Sequence, residues 1–292
     1  MTSELFSKDQ VALVTGAAMG IGRAAAIEFA KRGMSVTAID LPASDLPASD
    51  LPASDQPGGD LSSLESELKE ITGNSDKVLC IEADLSHPDA IEQIQSRVMN
   101  AFGCVNVLMN NAVTREGRTF DGTTDQWKQL FDVNVWALVD ASRRFLPDML
   151  ESGQRAAIIN VGSKQGITNP PGTPAYNMAK AAVKTFTEQL EHDLRNNDLN
   201  KGQVTSHLLV PGWTTTGRNQ HKQGAWLPDQ VVDYMINAIN NGDFYIVCPD
   251  DEVSTDMDNR RIIRGAQDIT RNRPPLSRWH TDYKDDGNQA CS

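Results

Sequence analysis

Val11-Ala-Leu-Val-Thr-Gly16-Ala-Ala-Met19-Gly20-Ile21-Gly22-Arg-Ala-Ala-Ala26 passes from an apolar, strand-forming run through three glycines into a run of helix formers. Glycine accepts positive φ and lets the backbone approach a ligand closely, while a helix starting here turns unpaired amides and its positive dipole end toward the turn. Gly16, Met19, Gly20, Ile21 and Gly22 therefore read as a cradle for a pyrophosphate. The spacing is Gly-x-x-x-Gly-x-Gly rather than the Gly-x-Gly-x-x-Gly of the general dinucleotide fingerprint. A tight strand-to-helix connection would use the same residues.

The next strand-like run, Ser35–Asp40, ends in an acid. Dinucleotide-binding folds place a carboxylate about 20 residues after the glycines, against the adenosine ribose hydroxyls. Asp40 fits that position. Its charge would repel a 2′-phosphate, so NAD is the favoured cofactor and NADP the alternative; a strand-end acid facing solvent would look the same. Arg23 is either a phosphate ligand or an ordinary residue of the first helical turn. The unit Asp-Leu-Pro-Ala-Ser then occurs at 40, 45 and 50. Regular prolines and small polar residues build no packed element, so 40–60 predicts a long exposed loop. It is a surface insertion beside the adenosine end or, in a functional version, a flap over it or an acidic loop for a partner. Asp45 and Asp50 offer the same side chain as Asp40, but Asp40 alone abuts Val36-Thr-Ala-Ile39.

Further apolar runs at Val78–Glu82, Val107–Asn110, 157–162, Val204–Val210 and 244–248 alternate with amphipathic stretches. The alternation predicts an α/β, doubly wound (Rossmann-type) fold. Its mostly parallel seven-stranded sheet would carry helices on both faces in a single domain, 1–272, followed by a tail, 273–292. A chain of 292 residues that is 39% hydrophobic can furnish one such core. A net charge of −12 excludes a general role on nucleic acid or anionic membranes. Cys80, Cys104, Cys248 and Cys291 lack metal or redox spacing, and His87, His192, His207, His221 and His280 are scattered, so no metal site is expected. With no secretory leader or membrane-length apolar run in view, a cytoplasmic location is the expectation.

A second constellation lies in the other half of the chain. Ser163 closes the fifth apolar run, and thirteen residues on comes Tyr176-Asn-Met-Ala-Lys180 in a helical pattern. Residues four apart share a helical face. A cation held beside a phenol favours phenolate, which suits a general acid/base serving an alcohol or carbonyl.

Together these residues resemble the short-chain dehydrogenase/reductase family, over roughly 11–216. Thr15-Gly-Ala-Ala-Met-Gly-Ile-Gly22 is similar to the family's cofactor turn, and Asp84 with Leu85 to its adenine-side acid. Asn110-Asn111-Ala112 is similar to its Asn-Asn-Ala-Gly, Asn134 to its catalytic asparagine, and Pro211-Gly212-Trp213-Thr214-Thr-Thr216 to the segment bordering the nicotinamide. Two departures stand out: Val113 where the family has glycine, and Gly162 where a second serine is common. Val113 is a packing variant, or it reshapes the substrate pocket or displaces the cofactor.

The resemblance implies that Tyr176 exchanges a proton with the reacting oxygen while hydride moves to or from the nicotinamide. Ser163 would orient that oxygen, Lys180 would hold the nicotinamide ribose and favour the ionised phenol, and Asn134 would support a relaying water. The expected function is an NAD-dependent dehydrogenase or reductase of a secondary alcohol or ketone. NADPH-dependent ketone reduction, non-redox isomerisation or cyclisation on the same fold, and a cofactor-sensing module are the alternatives. The substrate should be set by loops 113–118, 164–173 and 214–227, with Val113, Gln165, Asn169, Trp213 and Trp226 as lining residues and Arg218, His221 and Lys222 as possible anion ligands. The polar segment 217–224, flanked by glycines, reads as a lid. A charged helix is expected over 252–271, after which Trp279 and Tyr283 would dock on the domain or a neighbouring subunit. The resemblance implies a homodimer or homotetramer packed partly through the Tyr176 helix.

Overall fold

The computed structural model describes residues 4–42, 60–216 and 221–283. Most of the five-residue repeat, with Asp45 and Asp50, lies outside them, as do residues 217–220 of the expected lid, Arg218 included, and everything beyond Tyr283.

Seven strands form one sheet: β1 (Val11–Thr15), β2 (Ser35–Asp40), β3 (Val78–Glu82), β4 (Val107–Asn110), β5 (Ala156–Val161), β6 (Val204–Val210) and β7 (Tyr245–Val247). Their order is β3-β2-β1-β4-β5-β6-β7, and every neighbouring pair is parallel. The helices are α1 (Gly20–Lys31), α2 (Leu61–Thr72), α3 (Ala90–Phe102), α4 (Thr124–Phe131), α5 (Ala137–Ser152), α6 (Gln165–Thr168), α7 (Pro174–Arg195), α8 (Pro228–Asn240) and α9 (Thr255–Thr270).

The central strands are largely apolar because both faces are covered. Side chains alternate across a pleat, so Ala12 and Val14 join Ala25 and Phe29 of α1 and Met235 of α8 on one side. Leu13 faces the other side with Ile94 of α3 and Phe145 and Met149 of α5. Each large apolar side chain buried this fully, such as Phe29 or Leu13, is worth about 1.5–3 kcal/mol. Asn110 crosses the central strands to Asn160 Oδ1 at 2.9 Å, and Asn160 continues to Thr187 Oγ1 at 3.1 Å, so the buried amides are satisfied. Between β1 and β4 the strand order reverses. Crevices at the carboxyl ends of strands open at such a switch point.

The alternation fixed the elements closely, with four adjustments. The sheet is wholly parallel rather than mostly so. The fifth strand is Ala156–Val161 rather than 157–162, and the seventh is Tyr245–Val247. Helix α9 starts at Thr255 rather than 252, because Asp250 Oδ1 accepts the Glu252 and Val253 amides and Ser254 caps Met257. After α9 the chain folds back: Arg264 Nε donates to Ser277 Oγ at 3.0 Å and its Nη2 to the Tyr283 carbonyl at 3.2 Å. Contact there runs through Ser277 and the Tyr283 backbone, while Trp279 stays half-exposed beneath Arg278.

Candidate active site

A cavity of about 820 Å³ opens along the carboxyl ends of the strands. Its floor at one end is the glycine turn. Gly16 and Gly20 have φ of +65° and +57°, and a Cβ on Gly16 would sit 2.8 Å from Ala112 Cα. Gly22 does not line the cavity; a Cβ there would lie 2.1 Å from the Gly16 carbonyl oxygen. Its glycine permits α1 to seat on the turn. Asn111 locks the arrangement, its Nδ2 donating to the Thr15 and Gly16 carbonyls at 2.9 Å each, while Thr15 Oγ1 accepts the Asn111 and Ala112 amides.

Met19, at the N-cap of α1, makes no side-chain capping bond, and the first turn holds no acid. The amides of that turn and the positive end of a twelve-residue helix thus meet the cavity without a negative partner from their own helix. Asp40 lines the same end. Its Oδ2 accepts the Ala18 amide at 2.7 Å and its Oδ1 the Leu41 amide at 2.8 Å. The acid therefore ties β2 to the glycine turn. Asp84 and Leu85 extend this wall beyond β3, with Asp84 Oδ1 holding Ser86. Arg23 is not a cavity residue: its guanidinium pairs with Glu67 of α2 at 2.6 Å.

At the other end, the end of β5 and one turn of α7 bring Ser163, Tyr176 and Lys180 together in the wall. Lys180 is buried and donates to the Val161 carbonyl at 2.7 Å, which fixes its ammonium 5.9 Å from the Tyr176 ring centroid. Burial pushes the Lys180 ammonium below the ordinary lysine range; the nearby phenol opposes that shift and Arg115 adds to it. Ser163 Oγ accepts the Gln165 amide at 3.1 Å, which leaves its own proton to donate. Gly162 has a packing reason, since a Cβ there would reach Leu208 Cδ1 at 3.0 Å.

Several expected site residues are placed differently. Asn134, in a π-helical turn (Asp132–Trp136), is buried outside the cavity wall. Its amide accepts the Thr114 N–H at 2.8 Å and donates to the Thr114 carbonyl at 2.9 Å. It braces the segment carrying Val113 and Arg115. Val113 itself lines the cavity with Ala112 beside it. Asn169 is withdrawn because its Oδ1 accepts from Asn177 at 3.0 Å. Trp226 packs on the core and donates to Asp251 at 3.2 Å, while its backbone pairs with Trp213 and Thr215. Gln165 and Trp213 do line the cavity, as do Pro211, Gly212, Thr214, Thr216 and Lys222.

The sequence reading missed Arg115, Arg118, Lys164 and Thr173 as individual wall residues, although all lie in the loops assigned to specificity. Lys164 Nζ is 2.6 Å from Asp258 of α9 and 3.5 Å from Asp250. Asp250 Oδ2 in turn accepts the Trp213 amide at 2.9 Å. No signal in the sequence joins positions so far apart.

Residues 10–225 match the family model described as short chain dehydrogenase. The chain belongs to that family. A curated relative, the CLA biosynthesis dehydrogenase/reductase of Lactiplantibacillus plantarum, is 29% identical over 210 residues, which cover 72% of this chain and 66% of that one. Among solved structures, a short-chain dehydrogenase/reductase of Burkholderia phymatum in complex with NAD is 26% identical with a TM-score of 0.75, covering 94% of this chain and 98% of its own. A metagenomic short-chain oxidoreductase in complex with NADP is 25% identical with a TM-score of 0.63, covering 83% and 98%. Among the described residues, no helix of this short-chain dehydrogenase is long and apolar enough to cross a membrane.

Proposed function

We propose that the chain is an NAD-dependent oxidoreductase interconverting a secondary alcohol and a ketone, with Tyr176 as general acid and base. One observation carries this: a single cavity has an uncapped helix N-terminus and Asp40 at one end and Ser163, Tyr176 and Lys180 at the other. The residues fit a nicotinamide dinucleotide. Gly16, Met19, Gly20 and Ile21 would hold its pyrophosphate, Asp40 its adenosine ribose, and Asp84 with Leu85 its adenine. Asn111, Ala112, Lys180 and the 211–216 segment would border its other half. Bound there, the nicotinamide would supply or accept the hydride.

The chain's own groups handle the proton. Ser163 donates its free O–H to the reacting oxygen, and the Tyr176 hydroxyl gives or takes the proton at that oxygen. Lys180, held by Val161, places positive charge where negative charge develops on the phenol oxygen. Asn134 acts as a brace for 113–115 and so keeps that wall in register. Asp40 favours NAD, because a carboxylate at the ribose repels a 2′-phosphate.

Tyr176→Phe tests the assignment. It removes the exchangeable proton and little volume, so turnover should fall about 100- to 10,000-fold while NADH still binds. Undiminished turnover in Tyr176→Phe would refute the role.

Exposed Trp136 and Met178, beside and on α7, support assembly through that helix into a dimer or tetramer. Light scattering should return a mass that is a multiple of 31.9 kDa; a monomer would contradict it. The free thiols of Cys80, Cys104 and Cys248 fit a reducing compartment, the cytoplasm. Microscopy of a tagged chain showing secretion would contradict that location.

A further inference from the structure

The chain carries 39 acidic and 27 basic residues, and most of its buried or half-buried cations are claimed by carboxylates. Arg23 pairs with Glu67, Arg32 with Glu28, Arg144 with Asp140 and Lys164 with Asp258. Arg115 and Arg118 are exposed and lie outside this rule. Both line the cavity, and neither has an ion-pair partner among the described residues. Arg115 is also close to the reaction centre, its guanidinium carbon 5.6 Å from the Tyr176 ring centroid. The backbone carrying it is fixed, since Asn134 holds both the amide and the carbonyl of Thr114.

An unpaired guanidinium costs little in water, but this one stands at the proposed acid/base. It lies at the Ser163–Tyr176–Lys180 end of the cavity, away from the helix N-terminus and Asp40 that fit the dinucleotide's phosphates and adenosine. A cation there offers a planar fork of donors suited to an oxyanion. The whole chain is at −12 and Glu116 lines the cavity with the two arginines, so what favours an anion here is the position of Arg115 beside Tyr176 and not the overall charge.

We propose that the substrate carries an oxyanionic group, a carboxylate or a phosphate ester, within a few bonds of its reacting carbon, and that Arg115 receives it with Arg118 alongside. Arg115 is then a specificity-determining residue. The inference rests on the oxidoreductase reading of this cavity.

The test is calorimetry on the NAD-loaded protein, in which an oxo compound cannot be reduced. The probes are 2-oxohexanoate, its methyl ester and hexyl phosphate, each titrated into the parent, Arg115→Gln and Arg118→Gln. The expected result is that 2-oxohexanoate or hexyl phosphate binds at least about 10-fold more tightly than the ester. Arg115→Gln should remove about 10- to 100-fold of the anion's affinity, the size of a charge-assisted pair, and leave NAD and ester binding unchanged. Which anion prevails identifies the group. Equal binding of ester and anions, no binding of either anion, or an Arg115→Gln protein that keeps its anion preference overturns the proposal alone. Failure of the parent to bind NAD overturns the oxidoreductase reading and the proposal with it.

Discussion

Single glycines set the site's geometry, and they do so in opposite ways along this chain. Gly22 sits where a Cβ would be 2.1 Å from the Gly16 carbonyl oxygen and 2.5 Å from Asn111 Nδ2. Neither neighbour can yield without opening the turn. Gly265, inside α9, has nothing within 4 Å of a hypothetical Cβ and no positive φ. Gly22→Ala is therefore expected to cost about 1–3 kcal/mol through overpacking and to abolish NADH binding. Gly265→Ala should add about 0.5–1 kcal/mol from helix propensity. Urea unfolding of the two variants checks both signs. The position of Gly22 was legible in the sequence, but its task was not: spacing marks three glycines alike, and only packing separates two that face the cavity from one that seats a helix. Asn134 shows the same limit, since its motif fixes its place but not the direction of its amide.

At the scale of elements, the loop after β5, the loop after β7 and helix α9 meet at one buried ion cluster. Lys164 bridges Asp258 and Asp250, whose side chains are 5% and 2% exposed. Breaking a buried pair leaves charge uncompensated, which costs more than the pair itself contributes. Lys164→Met should destabilise the fold by about 3 kcal/mol and, because Asp250 also holds the Trp213 amide, should weaken cofactor binding. A Lys164→Met protein with parental melting and parental NADH affinity would show that the cluster is incidental. The strands were readable from apolar runs because both sheet faces are covered, and the ends of β2, β3, β4 and β5 named the cavity in advance. Helix α9 started late for a reason invisible to periodicity, namely that Asp250 takes the amides ahead of it. Arg115 and Lys164 escaped notice because a loop cation carries no period, and its meaning depends on which carboxylates the fold brings near.

For the whole molecule, stability should decline on the acid side. His207 bridges β6 and the turn before β7, its Nδ1 2.8 Å from the Asp243 carbonyl, so that nitrogen carries the proton. Burial holds the imidazole below its ordinary value of 6.5. Between that lowered value and 6.5 the unfolded chain binds more protons than the folded one, so stability is lost as pH falls through the unfolded value and levels off below the folded one. Urea midpoints from about pH 8 to about 5 should fall, and His207→Gln should flatten the part of the slope that belongs to this group. The fold's central assertion concerns the cavity, and nicotinamide fluorescence tests it most directly. NADH and NADPH are titrated into the parent and into Asp40→Asn, a substitution that keeps the side chain's shape and removes its charge. The expected result is NADH binding at least about 10-fold tighter than NADPH, the effect of one phosphate placed against one carboxylate, with the gap narrowed in Asp40→Asn. Binding of neither nucleotide, or a parent that prefers NADPH, would contradict the account.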